Sequence, residues 1–399
     1  MLSENLWVRR LPLLVFSHVV GTLNIVSIMA MAPLITKEFS LSATYFGSFI
    51  SAYYGAQAFG ALPAGGVTDR FGIGKTLVFS HLLMVIGSIT VALASGYLPC
   101  IFGMIFMGLG YSMTNPATSR GVLEWFPQER RGLAMSIKQV GVPIGGVLAA
   151  INGALAASFG WQHLMWGVGL LIALNGVFCF SLVFVETSKS GKVQQKIIAN
   201  ISEVVRDWNF NVYIFLSGLL NIGQTNFFGF LTLFMTEVVR SSQPIASVAL
   251  GLAQVTSAFA RVFLGLISDH FFVEKRTTLK VWVCSSATLF FGLMIFANDQ
   301  NFGLWFVLTL TVALGVTIAS FAPIGLVIAV EAVPKRLSGT AIGYNMVGVH
   351  LGGFLGPIIF GTVMDTFHGS YKAGWLVTAT LTGLAVLLLV FVFKEKKIT

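Results

Sequence analysis

Charge is what this 399-residue chain has least of: 10% of its residues are Asp, Glu, Lys or Arg, 56% are hydrophobic, and the mean hydropathy is +0.85. No water-soluble domain of this length is built from such a ratio, so lipid is the expected solvent. Cysteine is almost as scarce. Cys100, Cys179 and Cys284 fall in or beside apolar stretches without metal-ligand spacing, which excludes a disulfide framework and leaves a small apolar packing role. No Gly-Lys-Ser/Thr loop is present to cradle a phosphate, so ATP does not drive this chain directly. No metal-ligand cluster or nucleophile–base pairing is visible either, so neither a cofactor nor an enzymatic reaction is expected.

What is there is apolar sequence in long runs. A hydrocarbon layer roughly 30 Å thick needs about 20 helical residues per crossing. The sequence supplies twelve such stretches, near 12–33, 43–64, 76–95, 99–120, 133–157, 164–185, 211–236, 245–267, 280–297, 303–330, 339–363 and 373–393. The first is too long for a cleaved signal core and is expected to remain as helix 1. Basic residues sort by side. Nineteen of the 24 Lys and Arg fall at the termini and in the even-numbered loops, against Lys37, Arg240 and Lys372 on the other face. The positive-inside rule then places both termini in the cytoplasm and accounts for the net charge of +9 without a nucleic-acid partner.

The chain also contains its own duplicate. Residues 108–146 lie over 315–353 without a gap and match at 11 of 39 positions, among them Gly108/Gly315, Pro116/Pro323, Glu124/Glu331, Gly132/Gly339, Gly141/Gly348 and Gly145/Gly352. Two similar apolar halves point to a carrier with its substrate held between them. The one long connection, 186–210, divides the chain into an N-terminal six-helix bundle (1–185) and a C-terminal one (211–399). Within it Ile197, Ile198, Ile201, Val204 and Val205 follow helical spacing, as either an interfacial amphipathic helix or a soluble linker helix would. The fold class expected is an all-α membrane protein of 12 transmembrane helices in two pseudo-symmetric six-helix bundles.

After the second span comes Gly65-Gly66-Val67-Thr68-Asp69-Arg70-Phe71-Gly72-Ile73-Gly74-Lys75, and after the eighth Gly265-Leu266-Ile267-Ser268-Asp269-His270. With the basic turn Glu129-Arg130-Arg131-Gly132, these resemble the paired signature loops of the major facilitator superfamily. The second copy departs, with His270 for Arg and Phe272 for Gly. The resemblance covers the whole chain. It implies two bundles rocking about a central cavity, helices 1, 4, 7 and 10 lining it and helices 2, 5, 8 and 11 at the interface. It also implies gating roles for Asp69, Arg70, Lys75, Arg130, Arg131 and Asp269. Gly-x-Pro-x-Gly-Gly at 141–146 and the Gly-Pro of helix 11 look like the exporters' motif, with the order altered in helix 5.

Two cations lie inside predicted spans, where charge is costly and functional by default. Arg261 is about 12 Å up its helix from Asp269, near the midplane, and Lys138 is about 10 Å into helix 5. No Asp or Glu occupies a span interior. A transported anion is the natural counterpart, and the guanidinium fork suits a carboxylate. The plainer alternatives are an Arg261 held by backbone carbonyls and amides such as Gln254, and a Lys138 snorkelling to the headgroups. The pattern Arg261-x-x-x-Gly265-x-x-x-Asp269 also looks like helix 8 of monocarboxylate and oxalate/formate carriers, where the Arg engages substrate carboxylate. Where some of those carriers place an Asp, this chain has Ser257.

Further substrate-binding candidates are Asn24, Tyr53, Gln57, Tyr111, Asn115, Asn221, Gln224, Asn226 and Asn345, some of them expected to be interhelical glue, with a bend of helix 7 at Gly223. His350 and His18 are proton-coupling candidates, ordinary interhelical bonding being the alternative for His18. The reading is a monomeric secondary carrier of a small organic anion in the cytoplasmic (inner) membrane, driven by protons or by anion exchange. An exporter of hydrophobic or zwitterionic compounds is the alternative.

Overall fold

The computed structural model describes residues 6–185, 202–272, 275–297, 303–334 and 337–395. Among them there is no strand; ten helices are long and apolar enough to cross a membrane, and Ala43–Phe71 together with the pair Leu304–Val316 and Ala322–Glu331 completes twelve crossings. These are α1 (Leu11–Ala30, entered by a π-turn at Leu6–Arg10 and followed by a short helix, Ala32–Glu38), α2 (Ala43–Phe71), α3 (Ile73–Ala92), α4 (Tyr97–Trp125), α5 (Arg131–Phe159) and α6 (Trp161–Cys179). The second set is α7 (Trp208–Glu237), α8 (Gln243–Phe271), α9 (Arg276–Met294), α10 in two pieces (Leu304–Val316 and Ala322–Glu331), α11 (Ser338–Thr366) and α12 (Tyr371–Phe391). Large apolar side chains such as Phe259, Phe263 and Leu266 stand outward on α8, a surface suited to lipid and not to water.

One expectation is corrected here. The tenth span is not one helix, because α10 breaks between Val316 and Ala322. The helix of α7 continues through Gly223, which lets it pack closely on Thr382 and Phe291. Most of the 186–210 connection lies outside the described residues; its last part is helical over 202–206, with Val204 buried and Val205 exposed.

Contacts divide the chain into two compact units. The first comprises Met1–Leu41, Ala52–Ser190 and Gln243–Gly251; the second comprises Ser42–Ser51, Gly191–Ser242 and Leu252–Thr399. Each is built around one enclosed helix. The most apolar window of α1 and that of α7 are both 83% buried, against 28% for α8, although α7 is the less hydropathic of the last two. Backbones approach closely where the repeat has matched glycines. A Cβ on Gly141 or Gly145 would fall 2.4 Å from the Val15 carbonyl or 2.3 Å from that of Val19, at the α1–α5 crossing. One on Gly352 would fall 2.0 Å from the Gly218 carbonyl, at the α7–α11 crossing. Small residues at a crossing are how helices in lipid gain dispersion contact. The turn from α5 to α6 needs glycine for another reason, since Gly160 has φ +80°.

Within the second unit Asp365, at the end of α11, caps the start of α2. Its carboxylate accepts from Ser42 Oγ (2.7 Å), the Ala43 N–H (3.1 Å) and the Thr44 N–H (2.9 Å). Backbone N–H groups of a first turn have no helical acceptor, and the carboxylate also meets the positive end of the helix dipole. Asp365→Asn is expected to lower stability by about 1 kcal/mol, read as a lower Tm, with Asp365→Ala costing more. An unchanged Tm in both would remove the cap from the account.

Candidate functional site

In the first unit, α1, α4 and α5 bring Lys138, His18, Tyr111 and Asn115 into one buried network. Lys138 Nζ donates to Asn115 Oδ1 (3.0 Å), Thr118 Oγ1 (3.2 Å) and Ser119 Oγ (2.6 Å). At 1% exposure it does not snorkel; helix 4 supplies three oxygens for the three N–H of an ammonium, and that is a better solvent than a long reach to the surface. His18 Nε2 lies 3.0 Å from Thr118 Oγ1, and its Nδ1 lies 3.4 Å from Tyr111 Oη, which is also 3.4 Å from Thr22 Oγ1. Asn24 is fully buried on α1, six residues after His18, and neither amide atom has a hydrogen-bond partner among the described residues. Tyr53 and Gln57 are buried on α2, where the Tyr53 carbonyl is packed by Gly108 of α4.

In the second unit the break in α10 organises the polar groups. A helix that stops leaves carbonyls without their usual N–H partners, and these must be met by something else. Here Ser257 Oγ (2.8 Å), Arg261 Nη2 (3.1 Å) and Gln224 Nε2 (3.1 Å) all donate to the Ala319 carbonyl, and Gln224 also reaches that of Ile318 (3.4 Å). Arg261 is half-buried. The backbone-carbonyl alternative for Arg261 is therefore met in part, with Gln224 as the converging amide instead of Gln254. The Ala319 carbonyl accepts from one of the guanidinium's N–H groups and carries no net charge.

The other amides of α7 serve different neighbours. Asn221 donates to the Val349 carbonyl of α11 (2.7 Å) and Asn226 to Thr378 of α12 (3.0 Å). Asn345, the repeat counterpart of Lys138, is buried on α11. His350 sits beside Val349 in the same helix, half-buried.

The signature loops end in two clasps whose cations the sequence did not single out. Arg120 of α4 bridges Asp69 (2.8 Å) and Glu124 (2.5 Å) and donates to the Thr68 carbonyl (2.9 Å). Arg276 at the start of α9 bridges Asp269 (2.7 Å) and Glu331 (3.1 Å) and donates to Ser268 (2.6 Å). Glu124 and Glu331 are repeat partners, so both units keep the acids and recruit the Arg from different helices. Arg70 lies over the Phe71 ring (5.4 Å), Lys75 and Arg130 are exposed, and Arg131 donates to the Phe126 carbonyl (3.1 Å).

Lys280 was also missed, counted as a loop base. It is 1% exposed, donates to Tyr213 Oη (2.7 Å) and packs over that ring, while Tyr213 donates to the Gly325 carbonyl (2.7 Å). Two signals could have found the other missed partners: Ser257 is one turn before Arg261, and Thr118 and Ser119 are one turn after Asn115.

Comparison with known proteins follows the same architecture. A model of the Major Facilitator Superfamily matches residues 14–305 and 275–398. The probable galactarate/D-glucarate transporter GudP of Escherichia coli (strain K12) is 25% identical over 88% of this chain and 85% of its own length. The hexuronate transporter of Bacillus subtilis (strain 168) is 29% identical over 38% of this chain, a segment spanning 37% of that protein. The probable sulfoacetate transporter SauU of Cupriavidus necator is 21% identical over 94% of this chain and 91% of its own. Among solved structures, a bacterial homologue of the human lysosomal transporter Spinster superposes with a TM-score of 0.82 over 95% of both chains at 15% identity. The twelve crossings, the internal repeat and these matches together make the chain a member of the major facilitator superfamily, a membrane-spanning transporter and not an enzyme.

Proposed function

We propose that this transporter carries a small organic anion, a carboxylate, by alternating access, driven by a proton gradient or by exchange against another anion. The carrying observation is the convergence of Arg261, Ser257 and Gln224 on the carbonyls of the α10 break. Broken helices at membrane depth are where carriers of this kind hold substrates. A guanidinium there offers a planar fork matched to two carboxylate oxygens, and the bond is charge-assisted in a low-dielectric setting. The sequence places no Asp or Glu in the interior of a span to favour a cationic cargo instead. Three relatives carry names that fit the same class: galactarate/D-glucarate, hexuronate and sulfoacetate are all small organic anions. The basic loops support an orientation with both termini cytoplasmic in the cytoplasmic membrane.

The test is uptake into proteoliposomes holding the purified chain, with labelled D-glucarate, a hexuronate and sulfoacetate offered separately. Saturable uptake of at least one, competed by the others and not by an uncharged sugar, is expected. If all three fail while hydrophobic compounds are extruded, the exporter reading replaces this one.

A further inference from the structure

Within the second unit, α9 and α12 leave a groove of about 510 Å³ between them, lined by Ser285 and Thr288 of α9 and by Thr380, Gly383, Leu384 and Leu387 of α12. Small residues make the recess. Gly383 has no side chain to fill it, and a Cβ there would already stand 3.3 Å from the Thr288 methyl group. Thr288 donates to the Cys284 carbonyl (3.0 Å) and Thr380 to that of Leu376 (2.8 Å), so neither threonine has a proton left to offer a ligand. The surface on offer is therefore mainly apolar. Ser285, Thr380, Leu384 and Leu387 are exposed, as are Leu289 and Leu376 on the same two helices, and in a membrane-spanning chain such a face meets acyl chains instead of water.

The start of α9 and the end of α12 lie at the same level, because the Thr277 N–H donates to Glu395 Oε1 just past α12 (3.2 Å). Counted from that end, Ser285 and Thr288 are roughly 14 and 18 Å along α9, and Leu387 and Thr380 roughly 6 and 17 Å along α12. Half of the hydrocarbon layer is about 15 Å, so the groove belongs to one leaflet. Cations stand at its polar end. Lys275 and Lys394 are exposed on either side of the Thr277–Glu395 bond, which engages the carboxylate between them. Asn209 of α7 holds Lys394 in place, donating to its carbonyl (2.8 Å) and accepting from its N–H (2.8 Å). Trp208 beside it is exposed, as indole rings are at headgroup depth. The other charged groups nearby are committed: Arg276 bridges Asp269 and Glu331, and Asp207 caps α7 at the Phe210 N–H.

We propose that the groove between α9 and α12 holds one acyl chain of an anionic phospholipid whose headgroup pairs with Lys275 and Lys394. A lipid without net charge would fill the recess and leave the two lysines unanswered, while a soluble anion would meet the lysines and leave the recess unfilled. An anionic lipid answers both. Bound there, it joins α9 to α12 at the end where Arg276 holds Asp269 and Glu331, and so ties the stability of this unit to the charge of the leaflet. The site does not depend on which solute is carried.

The experiment uses the purified full-length chain in a neutral detergent, with dioleoyl phosphatidylglycerol as the probe and dioleoyl phosphatidylcholine as the control of no net charge. Phosphatidylglycerol is expected to raise Tm by roughly 3 °C more than phosphatidylcholine at the same concentration, and to stay bound to the chain in native mass spectrometry. Thr380→Trp fills the groove from an exposed position. It is expected to keep the lipid-free Tm within about 2 °C of wild type and to lose the extra rise. Lys275→Gln and Lys394→Gln together leave the groove intact and are expected to reduce the effect of phosphatidylglycerol to that of phosphatidylcholine. An extra rise that survives either change overturns the proposal, and so does an equal response of the wild type to the two lipids. Should Thr380→Trp fail to fold, Ser285→Trp is read in its place with the same two outcomes. A second copy of this chain is the competing occupant: light scattering that gives a dimer for wild type and a monomer for Thr380→Trp makes the groove a protein interface and overturns the lipid assignment.

Discussion

Arg261→Ala is expected to reduce carboxylate uptake at low substrate concentration on the order of 100-fold, corresponding to about 3 kcal/mol of lost interaction. A charge-assisted pair in a partly dehydrated site is worth more than a neutral hydrogen bond. The single-bond variants Ser257→Ala and Gln224→Leu should therefore cost only about 1 kcal/mol each, or roughly fivefold. Arg261→Lys should fall between, keeping the charge and losing the fork. Because Arg261, Ser257 and Gln224 also hold the Ala319 carbonyl, part of any loss could be structural. Melting each variant without substrate separates the two: a binding role leaves the ligand-free Tm close to wild type and removes the rise in Tm that the anion produces. Uptake by Arg261→Ala within about threefold of wild type would sink the anion assignment, whatever the melting curves show.

The largest stability effect is expected from one methyl group. Gly352→Ala puts a Cβ 2.0 Å from the Gly218 carbonyl oxygen, and the obstacle is backbone, which cannot turn aside as a side chain does. Overpacking a tight contact costs about 1–3 kcal/mol and more where the backbone must move. Alanine would otherwise gain about 1 kcal/mol over glycine in a helix, so the sign of the change reports which effect wins. Gly145→Ala, 2.3 Å from the Val19 carbonyl in the first unit, should behave alike. Gly339→Ala is the control, a glycine equally matched in the repeat with nothing within 4 Å of its Cβ; it should be neutral or slightly stabilising. Yield of monodisperse protein and Tm are the readouts, and a Gly352→Ala protein as stable as the control would show that the α7–α11 crossing relaxes without loss.

Those glycines also show how much was legible beforehand. The repeat pairs Gly141/Gly348 and Gly145/Gly352 stand out in the sequence because a position that admits no Cβ admits no other residue, in either half. Lys138 and Arg261 stand out because charge in an apolar run is rare enough to notice. Their partners do not stand out. Thr118, Ser119 and Ser257 are ordinary residues in helices full of Ser and Thr, and only the rotation of one helix against another selects them. The clasps mark the same limit: Asp69 and Asp269 announce themselves in the loops, but Arg120 lies 51 residues from Asp69 and the second clasp draws Arg276 from another helix. Lys280 looks like a loop base because the residues shortly before it, Lys275 to Thr278, are polar, and it is buried with Tyr213, 67 residues away, packed against it.

The sequence by itself determined the solvent, the number of crossings, the twofold repeat, the two intramembrane cations and the family, because each is a matter of composition, run length or recurrence, properties a chain carries before it folds. The tertiary structure alone decided that α10 is broken where α7 is whole, that Arg261 meets a freed carbonyl, and that Lys138 and His18 share one hydroxyl. Hydrogen bonds and charge pairs act over about 3 Å between residues far apart in the chain, so which groups meet depends on the packing of helix against helix, and no local pattern encodes it.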